Sequence, residues 1–195
     1  MVFIDGENLT IRGQELAKKR EMTLRGGEWW DRDVYMWFPA ANPLDAVQEV
    51  LFPASRAGGF LTQWPPTRAH YYTSVKGDEP RVASTKEALR RFGFHPSVFK
   101  RTSDGRSKGV DITLARDVLS HAYLGNYDLA LLIAGDGDYL PLVQDVQHRG
   151  RVVAVAFFEE WTNPDLRLTA DSFHDLTPIF VQSWRHVLGG GAGVE

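Results

Sequence analysis

Apolar runs of strand length alternate along the chain with segments whose apolar residues return every three or four positions. Val2-Phe3-Ile4, residues 69–75, residues 96–101, Leu129-Ala130-Leu131-Leu132-Ile133 and residues 152–158 make up the runs. Runs without polar alternation belong to strands covered on both faces, which is the condition of a parallel sheet. Between them, residues 81–92 carry Val82, Leu89 and Phe92 on one helical stripe. Residues 111–124 turn Ile112, Ala115, Val118, Leu119 and Ala122 inward, and residues 138–148 bring Leu142, Val143 and Val146 to the sheet. A polar helix is expected up to residue 20, a short helix over 166–171, an aromatic turn at Phe173-His174 and a flexible tail over 189–195. Strands and helices alternating at these lengths predict an α/β fold, a three-layer α/β/α sandwich on a mostly parallel five-stranded sheet. Right-handed crossovers then restrict its topology.

Residues 21–66 carry the weakest pattern. Trp29, Trp30, Tyr35, Trp37 and Phe38 crowd together, residues 44–51 have helical spacing, and Pro65-Pro66 stiffens the approach to the next strand. Such an aromatic cluster either stacks on nucleic-acid bases or covers a sheet face, and the second use is the commoner.

At 195 residues the chain suits one domain, taken as 1–188, and the hydrophobic and charged fractions of 43% and 24% are ordinary for a globular protein. There is no cysteine, so disulfides and thiolate metal sites are excluded and a metal must be held by oxygen or imidazole. The net charge of -3 advertises no nucleic-acid partner, so local charge has to make that case. No run approaches the length of a membrane span and no signal segment opens the chain, which makes a cytoplasmic protein the default. A homodimer is left open.

The chemistry gathers where strands end. Ile133-Ala134-Gly135-Asp136-Gly137-Asp138 closes the most apolar run with two carboxylates, and the glycines around Asp136 suggest a sharp backbone turn. Val2-Phe3-Ile4-Asp5 ends in acid too, and Asp111 opens a helix behind the basic stretch Arg101, Arg106 and Lys108. Taken singly, Asp138, Asp111 and Asn8 each read as a helix cap, and Glu7 as a first-turn acid facing the helix dipole. Taken together, Asp5, Asp111, Asp136 and Asp138 all stand at junctions that a parallel sheet collects at one edge. Carboxylates that close repel one another, and a hard divalent cation such as Mg²⁺ or Mn²⁺ is the usual compensation.

Val2-Phe3-Ile4-Asp5-Gly6-Glu7-Asn8-Leu9, Lys108-Gly109-Val110-Asp111 and Ala134-Gly135-Asp136-Gly137-Asp138-Tyr139 resemble, in order, the three acidic motifs of the NYN domains of the LabA type, a branch of the PIN-like nuclease superfamily. The resemblance implies strand order 3-2-1-4-5 and a divalent-metal site that hydrolyses RNA. Asp5, Asp111, Asp136 and Asp138 fall on the acidic catalytic and metal positions, and Asn8 and Lys108 on flanking polar ones. One departure is Ala134, where family members commonly have Ser or Thr. Its hydroxyl, able to hold a metal-bound water, is missing here.

The same residues support this chemistry directly. Carboxylate oxygens suit Mg²⁺ or Mn²⁺, which activate water for in-line attack on phosphorus without a protein nucleophile. Arg101, Arg106 and Lys108 would neutralise phosphates of a single-stranded RNA substrate, whose backbone bends into a crevice. The rival reading is a catalytically weak or inactive module that binds nucleic acid or a protein partner. A small-molecule phosphohydrolase, with Glu7 as the second acid, stands behind both.

Overall fold

The strands and helices follow the apolar pattern closely in a computed structural model that describes residues 1–24, 29–39, 68–101 and 109–189. The chain runs β1 (Val2–Asp5), α1 (Gly6–Lys19), the short strands β2 (Trp30–Asp31) and β3 (Tyr35–Met36), β4 (Ala69–Val75), α2 (Glu79–Arg91), β5 (His95–Lys100) and α3 (Val110–Tyr123). It continues through β6 (Leu129–Ile133), a 3-10 turn (Gly137–Tyr139), α4 (Leu140–His148), β7 (Val152–Phe157), α5 (Pro164–Thr169), β8 (Ser172–Asp175) and α6 (Thr177–Gly189). The expected helix at 44–51, the Pro65-Pro66 turn and the tail beyond residue 189 lie outside the described residues, as do Arg106 and Lys108.

The main sheet is parallel throughout, in the order β5-β4-β1-β6-β7-β8. The five strands read from the sequence keep the order 3-2-1-4-5, and β8 adds a sixth at the β7 edge. Phe173 and His174, expected in a turn, lie within that strand. Ser172–Asp175 is a half-buried edge strand with polar residues at both ends, so it lacks the continuous apolar run that marks its neighbours.

Period-two alternation divides the core into two layers. Val2, Ile4, Leu131 and Ile133 pack on one face with Leu9 and Leu16 of α1, Leu89 of α2 and Phe180 and Trp184 of α6. Phe3, Ala130 and Leu132 pack on the other with Val110, Leu114, Val118 and Ala122 of α3 and with Leu142, Val143 and Val146 of α4. The inward stripe of α3 is thus set back from the expected one. Ile112 is 75% exposed, because the period that buries Val118 and Ala122 selects Leu114 and Val110 before them. The aromatic segment belongs to the first layer, where Tyr35, Trp37 and Phe38 are buried, Trp37 packs edge-on to Phe94, and Trp29 stacks on Phe92. It covers the sheet.

Strand order fixes where the chemistry falls. From β1 the chain adds β4 and β5 on one side, then crosses to add β6, β7 and β8 on the other. β1 pairs directly with β6, Ile4 opposite Ile133, so the acids that follow these two strands emerge side by side at the crevice where the order reverses. Among the described residues, no helix is long and apolar enough to cross a membrane.

Candidate active site

Asp5 ends β1 and caps α1: its Oδ1 accepts the Asn8 backbone N–H at 3.0 Å. The cap expected of Asn8 is therefore Asp5, and Asn8 serves it through the main chain. Oδ2 of Asp5 lies 3.1 Å from the Tyr139 hydroxyl in a site that leaves the residue 4% exposed. Burial dominates its ionisation and pushes the carboxyl up to about 7, against the Asn8 N–H and with the charges of Asp111 and Glu7.

Asp111 occupies the first turn of α3, but it is not the cap. Gly109 takes that position at φ 120°, a backbone conformation that favours glycine, and offers no side-chain bond. The Oδ1 of Asp111 instead lies 3.2 Å from the same Tyr139 hydroxyl. Its pKa is raised, first by partial burial and then by the charges of Glu7, Asp136 and Asp138, with the Tyr139 bond opposing. A phenol has one proton to donate to its two carboxylate neighbours. Asp5, protonated below its raised pKa, can supply the second.

Asp136 caps the 3-10 turn, its Oδ1 accepting the Asp138 N–H at 3.0 Å, so Asp138 is the capped residue rather than the cap. Both aspartates are exposed. The flanking glycines serve a different purpose from the one expected, since neither has positive φ. A Cβ on Gly135 would stand 2.6 Å from the Trp161 carbonyl oxygen and 2.4 Å from the Phe157 ring, and one on Gly137 would stand 2.5 Å from Asn163 Nδ2. They allow close approach. Asn163 closes the contact by donating its backbone N–H to Gly135 O at 2.8 Å while its side chain caps α5.

Glu7 is tied into the site more firmly than a first-turn acid needs to be. It accepts the Ser74 hydroxyl at 2.8 Å and pairs with the Arg101 guanidinium at 3.1 Å, while Arg101 Nε donates to Ser74 Oγ at 2.9 Å. The Arg101 side chain is only 12% exposed. Of the three cations expected to meet phosphate, the one described is thus turned inward to an acid, a consequence of β4 and β5 ending beside α1 that sequence spacing does not reveal. Tyr139 and Ser74 were also missed. Next to an apolar helix, Tyr139 looks like core, and its ring is core; the hydroxyl alone reaches the acids.

The structure therefore joins Asp5 and Asp111 through the Tyr139 hydroxyl, and the charges of Glu7, Asp136 and Asp138 bear on Asp111. Residues 1–177 match the family model of the NYN domain. The chain belongs to the NYN domain family. NYN domains are PIN-like nuclease domains, and the membership gives this protein nuclease-type function and a nucleic-acid substrate in general terms. No match was found among curated proteins. Among solved structures, a Vibrio parahaemolyticus protein of unknown function is similar with a TM-score of 0.59 at 21% identity, over 90% of each chain. At that identity the likeness is one of fold.

NYN domains imply a divalent cation, and the donors here fit one in kind: every candidate ligand is a carboxylate oxygen, and the charges of Glu7, Asp136 and Asp138 bear on Asp111, whose pKa is raised first by burial. Among the described residues, no three carboxylate or imidazole side chains converge tightly enough to share one ion. The Tyr139 hydroxyl is hydrogen-bonded to both Asp5 and Asp111.

Proposed function

We propose that this NYN domain is a divalent-metal-dependent ribonuclease of the LabA type, hydrolysing phosphodiester bonds of single-stranded RNA. The observation that carries the reading is the Asp5–Tyr139–Asp111 link at the strand-order reversal, with the charges of Glu7, Asp136 and Asp138 bearing on Asp111. Asp5, Asp111, Asp136 and Asp138 would hold Mg²⁺ or Mn²⁺. Such an ion, when bound, supplies an activated water and offsets charge developing on the phosphoryl oxygens. The chain does the rest. Buried Asp5 anchors the inner side of the site, exposed Asp136 and Asp138 face the substrate, and the Arg101–Glu7 pair keeps the acid at position 7 directed away from incoming phosphate. Arg106 and Lys108 are the cations left to meet the RNA backbone, with Asn8 as a polar neighbour.

The test is a pair of measurements on the parent protein and on Asp136→Asn: cleavage of labelled single-stranded RNA in Mn²⁺, and binding of the same RNA in chelator. Cleavage is expected in the parent, lost in chelator, and reduced by orders of magnitude in the variant, with binding retained. Binding without cleavage by the parent would replace this reading with that of a non-catalytic nucleic-acid module. Equal cleavage by parent and variant would assign the activity to another site.

A further inference from the structure

We propose that Tyr139 is a positioning residue of the acidic site: its hydroxyl fixes the Asp111 carboxylate against Asp5, and in doing so sets the affinity for a divalent cation. The inference rests on the ribonuclease reading for the identity of the ligand. Its basis is an asymmetry between the two aspartates. Asp5 is held independently of Tyr139, by burial and by the Asn8 N–H. Asp111 is exposed, lies in the first turn of a helix capped by a glycine without a side-chain bond, and is in contact with the Tyr139 hydroxyl at 3.2 Å. Without that hydroxyl, repulsion from Asp136, Asp138 and Glu7 would favour rotamers that carry the Asp111 carboxylate toward solvent.

The anchor itself is rigid. Tyr139 is 4% exposed, belongs to the same core cluster as Leu142, Val143 and Val155, and ends the 3-10 turn that Asp136 caps. Its hydroxyl meets Asp5 and Asp111, and its backbone N–H, directly after Asp138 in the chain, donates to Asp136 O at 3.3 Å. Groups that orient metal ligands without touching the metal typically change affinity by about 10- to 100-fold when removed. A phenylalanine would fill the same volume and remove the link alone.

Full-length parent and Tyr139→Phe are titrated with Mn²⁺ in the absence of RNA, with bound and free ion followed by electron paramagnetic resonance. The Kd for Mn²⁺ is expected to weaken by about 10- to 100-fold in Tyr139→Phe. RNA cleavage by that variant should recover in excess Mn²⁺, which cleavage by Asp111→Asn should not. Placing para-aminophenylalanine at position 139 restores a donor with two protons and should return the affinity toward that of the parent, a rescue that a purely packing role would not produce. Unchanged or tighter Mn²⁺ binding by Tyr139→Phe overturns the proposal while leaving the ribonuclease reading intact, since the hydroxyl would then be a competitor of the ion or a bystander. So does failure of the amino analogue to improve on phenylalanine. A parent protein that binds no Mn²⁺ overturns both.

Discussion

The Asp5 carboxyl and the His70 imidazole respond to pH in opposite senses over nearly the same window. Asp5 is raised to about 7 by burial, so the folded protein keeps a proton that the unfolded chain, with an ordinary carboxyl near ~4, has already released. Its contribution to stability is full below about pH 4 and is lost as pH rises through 7. His70 is lowered to about 4, first by burial and then by His121 and His95, with Asp117 opposing and Arg68 assisting. Its ring stacks on Phe3 and on His95 at 5.4 Å in each case, and its Nε2 is buried without a partner among the described residues. Its contribution is present above about 6.5 and is lost as pH falls through 4. The slopes oppose and partly cancel in the parent, so variants are needed to resolve them. In chelator, urea unfolding of Asp5→Asn should show stability rising across pH ~5 to ~7 more steeply than in the parent, and His70→Phe should show it falling. Parallel profiles for all three proteins would remove both groups from the pH response. Neither shift is visible in sequence, where Asp5 reads as an acid at a strand end and His70 as one polar residue in an apolar strand.

Among the elements, the turn after β6 is the one whose sequence signal was clear and whose physical reason was not. Gly-Asp-Gly-Asp suggests glycines chosen for conformation, yet Gly135 and Gly137 are needed because β7 and the segment leading to α5 press against them. Gly135→Ala requires a backbone carbonyl to move, and overpacking of this kind costs about 1–3 kcal/mol. The melting temperature should fall accordingly and Mn²⁺ affinity should fall with it, because the shift displaces Asp136. A variant as stable as the parent would mean that the Trp161 carbonyl yields freely. Caps show the same pattern. The three positions that read as caps, Asn8, Asp111 and Asp138, are none of them caps, while Asp5 and Asp136 are. At the starts of α1 and of the 3-10 turn the residue type was legible and its offset by two or three positions was not, while the cap of α3 is a glycine, since capping depends on where the backbone leaves helical geometry.

For the whole molecule, a net charge of -3 with an acidic site means that the RNA affinity of the proposed function has to come from a few local cations. With Arg101 paired to Glu7, the proposed function leaves that burden to Arg106 and Lys108, and replacing both by alanine should flatten the plot of log Kd against log salt by about 0.7 for each phosphate left without its cation. Arg101→Ala should leave the salt slope unchanged while lowering the melting temperature, because it strands Glu7 half-buried. An unaltered slope in the double variant would place the RNA on another face.

The apolar runs determined five of the six strands of the main sheet, their parallel pairing and the presence of acid at the ends of β1 and β6, because burial on both faces leaves an unbroken run and a parallel sheet directs strand ends to one edge. The edge strand β8, the inward face of α3, the pairing of Arg101 with Glu7 and the Tyr139 hydroxyl between Asp5 and Asp111 were decided only by the fold. Each of these depends on contacts between residues distant in sequence, from 18 positions between the paired residues of β7 and β8 to 134 for Tyr139 and Asp5, over which local periodicity carries no information.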